Sequence, residues 1–164
     1  MPLPLPWLDQ VPDERVFDVC ANVVLIPWLI LAIFPRWQMR RTVVVSVVML
    51  ECVVYVAYFA ASFRGNGSDV AQTFAEMGTL DGVKKLFNND DVILPAWVHY
   101  LAFDLIVGNH LVARNLADPA GLHQLLMIPV LFLTLMAGPM GFLLYKVMKA
   151  VQSAFNRKPA VKIS

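Results

Sequence analysis

The chain has 164 residues, 59% of them hydrophobic and only 15% charged, with a net charge of +1. Soluble domains carry about 25% charged residues, so this balance excludes an ordinary soluble domain and gives no reason to expect nucleic acid or an acidic partner. The charges cluster between long apolar runs, as in an all-α, polytopic membrane protein. Cys20 and Cys52 lie in apolar runs without metal-ligand spacing or a disulfide framework, and read as small buried hydrophobes.

Residues 1–13 are Pro-rich and read as extended or interfacial, with Trp7 an anchor at headgroup level. No basic stretch precedes an apolar one, as a cleavable signal would require, and the start is not Arg- and Ser-rich like a transit peptide. A prokaryotic inner membrane is the simplest expectation. Asp13 and Glu14 suit the positive end of a helix dipole, and a first span follows over about 17–34. Within it Pro27 leaves a backbone carbonyl free, which predicts a kink. Asn22 lies in the same span, and Pro35 ends it.

A short basic loop (Arg36, Arg40, Arg41) leads to a second span over about 42–63. Glu51 falls near its middle, and Glu51, Tyr55 and Tyr58 recur on one helix face. The segment 68–90 reads as one or two short interfacial helices. Val70, Phe74 and Met77 share a face of the first, and Thr79 is placed to cap the second, with Val83, Leu86 and Phe87 on its apolar side. A plain connecting loop is the alternative.

The third span, about 92–112, holds most of the polar groups that could do chemistry in a bilayer: His99, Tyr100, Asp104, Asn109 and His110. A fourth span is expected over about 122–148. Thr134, Gly138, Gly141 and Tyr145 form a small-residue stripe on it, of the kind that lets helices approach closely. The whole is a single membrane domain, 1–164, with a four-helix bundle. Four spans would put both termini on one side. Arg15, Arg64, Lys84, Lys85 and the tail residues Lys146, Lys149, Arg157, Lys158 and Lys162 would lie there, against Arg36, Arg40, Arg41 and Arg114 opposite. By the excess of Lys and Arg that side is cytoplasmic.

An ionisable group at the centre of a span costs about 3 kcal/mol or more and calls for a partner or a function. Trp97, Tyr100, Asp104 and Gly108 share one stripe of the third span, while His99 and His110 lie on a nearly opposite one. His99 points roughly 140° away from Asp104, so the two form no ready-made acid–base pair. Glu51 sits at similar depth, and a shared proton between the two carboxyls is one expectation. Hydrogen bonds from Asp104 to Tyr55, Tyr58 or Asn22 are another. A purely structural use, the acids holding helices together, stands beside the functional one. His99 and His110 are separated by roughly 16 Å along the axis and cannot clamp one haem iron. No nucleotide loop, nucleophile elbow or zinc spacing is present, so no cofactor or metal is expected.

The run GVKKLFNNDDVILPAWVHYLAFDLIVGNHLVARN, residues 82–115, resembles the abscisic-acid-deficient-four-like membrane family, most specifically over Trp97–Leu105. The plant members of that family are associated with neoxanthin synthesis, in which an epoxide of violaxanthin opens to an allene. The resemblance implies a four-span layout and an isomerisation that needs an acid and a base but no redox cofactor. On this reading Asp104 is the acid, Glu51 or His99 the base, and Tyr55, Tyr58, Trp97 and Tyr100, with Asn22, line the slot for a carotenoid or other isoprenoid end group. The alternative is a non-catalytic membrane protein that binds pigment or lipid, as a homo-oligomer or within a membrane complex.

Overall fold

The computed structural model describes residues 11–65, 74–75 and 77–156, apart from the side chains of 62–65. Trp7, Val70 and the tail residues Arg157, Lys158 and Lys162 lie outside them. The described residues form seven α-helices and no strand: α1 (Asp13–Val23), α2 (Leu25–Ile33), α3 (Arg40–Gly65), α4 (Leu80–Phe87), α5 (Asp90–Ala117), α6 (Gln124–Met136) and α7 (Gly138–Asn156).

Three helical segments are long and apolar enough to cross a membrane: α1 with α2, α3, and α5. The first is interrupted at Val24, one turn before Pro27. Pro27 has no N–H to offer the carbonyl of Val23, and its ring crowds that carbonyl, so the ladder breaks there. The helix restarts at once and ends at Ile33, ahead of Pro35. α3 and α5 run antiparallel and make the most extensive packing pair. Tyr58 on α3 donates to Asp13 of α1 at 3.1 Å. The short helix expected after Thr79 is α4, and the Thr79 hydroxyl caps it by accepting from the Gly82 amide at 3.1 Å. Asn89 caps α5 in the same way through the Asp91 amide, at 3.1 Å.

The fourth apolar run departs from expectation. It is broken at Ala137, where Gly138 and Pro139 interrupt the ladder, and the chain turns back on itself. Lys149 of α7 forms an ion pair with Asp118 at 2.8 Å and donates to the carbonyl of Ala120 at 2.5 Å. Both acceptors sit in the connection that precedes α6. α6 and α7 are therefore the two arms of a hairpin that enters and leaves on one side. At 1.5 Å per residue the 13 residues of α6 reach only about 20 Å, half a bilayer with its headgroups. The fourth apolar run is thus a helical hairpin rather than one continuous helix, and α7 ends at the end of the bundle opposite the start of α1.

The small-residue stripe explains how the hairpin closes. A methyl group on Gly141 would strike the backbone and hydroxyl of Thr134, so the arms touch where only glycine fits. Tyr145 is buried beyond it. At the base, Asn115 accepts from the Leu122 amide at 2.7 Å and donates to the Leu122 carbonyl at 2.9 Å. This two-way clamp fixes the angle at which the hairpin leaves α5. Gln124 ties the same end to α2 by donating to the Ala32 carbonyl at 2.5 Å.

Candidate functional site

Asp104 faces the tip of the hairpin. It is 6% exposed, near the middle of α5. The break at Ala137 leaves a carbonyl at Met136 and an amide at Gly138 that neither arm can pair within its own helix. α5 faces both. The Tyr100 hydroxyl donates to the Met136 carbonyl, and the Asp104 carboxyl lies beside Gly138. A side chain at Gly138 would collide with Asp104 Oδ1. Tyr100, one turn from Asp104, also borders the carboxyl. Asp104 thus sits at the start of α7, at the positive end of its dipole. The second carboxyl oxygen, Oδ2, is buried and has no hydrogen-bond partner.

Next to this point lies a groove of about 790 Å³ between α1, the end of α4 and the first half of α5. Phe17, Phe87, Ile93, Leu94, Trp97 and Tyr100 line it. Trp97 packs on Phe17 and on Tyr100, each at 5.7 Å between ring centres. The aromatic stripe read from the sequence is therefore one wall of a real groove, and its deepest member, Tyr100, is the neighbour of Asp104.

The other expected site residues go elsewhere. Glu51 is fully buried, with neither carboxyl oxygen at hydrogen-bonding geometry; its polar neighbour is the Cys20 thiol of α1. Tyr55 meets His99 at 5.4 Å, and His99 stacks on Phe103 at 4.5 Å. That contact sets the register of the antiparallel pair and puts Glu51 near the level of Asp104, as its place in the sequence suggested. The two acids nevertheless do not meet. α5 turns the His99–Phe103 stripe toward Tyr55 of α3 and the Tyr100–Asp104 stripe toward the hairpin. His99 is exposed on the outer seam with Tyr55 and Phe59, away from Asp104. Tyr58 bonds Asp13, and exposed Asn22 donates to the Asp18 carbonyl of its own helix at 2.6 Å. Neither is a partner of Asp104. Sequence reasoning missed Met136 and Gly138 as site residues. The signal was there: a Gly-Pro pair inside an apolar run marks a helix break.

Among curated proteins and among solved structures, no match to the chain is found. A family model does match, over residues 15–145, a stretch that includes the crossing helices, the groove and the tip of the hairpin. The chain belongs to the ABA4-like (ABA DEFICIENT 4-like) family.

Proposed function

We propose that this membrane protein isomerises the end group of a carotenoid or related isoprenoid, with Asp104 as the proton-transfer group. The observation that carries the reading is the buried, unpartnered Oδ2 of Asp104, one helical turn from Tyr100 in the wall of an aromatic groove. For an epoxide opening to an allene, the protonated carboxyl gives its proton to the epoxide oxygen as the C–O bond breaks. A carbon-bound proton then leaves, and its electron pair forms the new double bond. Nothing is oxidised or reduced. Since Glu51 and His99 are not neighbours of Asp104, the Asp104 carboxylate itself is the best-placed base. It gives one proton and recovers another, with Oδ1 turned toward Gly138 and Oδ2 free to work. Trp97 and Phe17 would hold the ring, and Tyr100 would orient the carboxyl.

A second reading rests on the nearness of Gly138 to the Asp104 carboxyl: the carboxyl serves only to steady the start of α7, and the protein binds pigment or lipid without changing it. Asp104→Asn separates the two. The amide oxygen can still face Gly138, so the fold persists, but the side chain cannot donate and recover a proton. Catalysis predicts a loss of roughly a hundredfold or more in pigment conversion at normal protein level, read by liquid chromatography in a complemented deletion strain. Full conversion by Asp104→Asn leaves the structural role alone.

A further inference from the structure

The fold-back of α7 sorts the charges of this chain onto two faces. At the ends of α1, α4 and α5 that share one face lie Asp13, Glu14, Asp18, Asp81, Asp90 and Asp91, against Arg15, Lys84 and Lys85. At the opposite face the described residues include Arg36, Arg40, Arg41, Arg114, Lys146 and Lys149, and one acid, Asp118. Lys149 already takes Asp118. Arg36, Arg40 and Arg41 form no ion pair with any described residue, and one guanidinium nitrogen of Arg40 is buried without a partner. A face with this many unanswered cations calls for anions from outside the chain.

That face also carries a groove of about 840 Å³ between the end of α2, the turn after it and the start of α6. Ile30, Ile33 and Phe34 make apolar walls, and Arg36, Trp37 and Gln124 stand at the rim. Trp37 is half exposed there, and an indole at such a level is a headgroup anchor. Hydrocarbon walls below one cation fit a molecule with an anionic head and acyl tails. We propose that this groove holds an anionic phospholipid, with its phosphate on Arg36 and its acyl chains along Ile30, Ile33 and Phe34. The surrounding face then rests on the anionic cytoplasmic leaflet, which attracts juxtamembrane Lys and Arg. It follows that α7 ends in the cytoplasm while α1 starts, and the Trp97 groove opens, on the other side. This inference does not depend on Asp104 or on the substrate.

The test uses the purified full chain in detergent. Phosphatidylglycerol, phosphatidylcholine with the same acyl chains, or inorganic phosphate alone is titrated while thermal unfolding is followed. Phosphatidylglycerol should raise the midpoint by a few degrees through binding to the folded state, and the other two should not. Arg36→Gln should lose the shift and Arg36→Lys keep most of it. Equal shifts with both lipids, or a full shift in Arg36→Gln, would overturn the site. Orientation is read with a membrane-impermeant maleimide on spheroplasts of a bacterial host. Asp81→Cys should label in intact cells and Ser153→Cys only after permeabilisation. Labelling of both from outside, or the reverse pattern, would overturn the orientation.

Discussion

Two buried carboxyls at nearly the same depth have opposite surroundings. Asp104 has a ready-made place: an amide from the start of α7, a hydroxyl one turn away, and a single free oxygen. Glu51 has a thiol beside it and no satisfied oxygen at all. The lesson is that depth and residue type do not define an intramembrane acid. The backbone that faces it does, and here a broken helix faces only Asp104.

The largest effect should come from filling the space between Asp104 and the hairpin. Gly138→Val places branched carbons where Asp104 Oδ1 now lies, so the buried carboxyl has to leave the hairpin tip to make room. Loss of the folded protein on size-exclusion chromatography is expected. A monodisperse, thermally normal Gly138→Val would mean that Asp104 does not touch the tip.

The comparison itself is tested by removing each acid with the same replacement. Asp104→Leu leaves the Gly138 amide at the hairpin break facing only hydrocarbon, and an unsatisfied buried donor costs about 1–3 kcal/mol. Glu51→Leu removes a buried polar group that no hydrogen bond rewards, and such replacements are commonly neutral or stabilising. Thermal unfolding should therefore move down for Asp104→Leu and stay or rise for Glu51→Leu. A drop of equal size in both would erase the distinction.

The smallest effect belongs to the base of the hairpin. Hydrogen bonds from Lys149 and then from the Ala120 amide hold the Asp118 carboxyl below the usual carboxylate range. A lowered value in the folded state stabilises the fold above the ordinary titration of aspartate, and that contribution fades as pH falls through the lowered value. Asp118→Asn should thus reduce the loss of stability as pH falls below about 4, by little, because the pair is partly exposed. An unchanged acid profile would show that the ion pair does not hold the arms.

Much of this was legible in the chain. Period and hydropathy located α1–α2, α3 and α5, Thr79 announced α4, and the Trp97–Leu105 motif announced the family. The stripe of Trp97 and Tyr100, with Asp104 one turn on, was legible because residues on one helix need only the 3.6 repeat to be placed together. What failed was whatever depended on two helices at once. Glu51 and Asp104 share a level, but their directions depend on how α5 is rotated between α3 and the hairpin, and no single-helix pattern encodes that. The fourth apolar run has the length of a span, so only Gly138–Pro139 at its centre and the lysines at Lys146 and Lys149 argued against one. The expected orientation turned on the same residues: counted through a crossing they favour a cytoplasmic N-terminal face, and the hairpin moves them to the opposite end of the bundle.

The hairpin also imposes an order on how this protein is made. The carbonyl of Met136 finds its partner on α5, and unpaired peptide groups do not enter hydrocarbon. The hairpin is therefore expected to settle only after α5, with both arms together, once Tyr100 is in place to receive it.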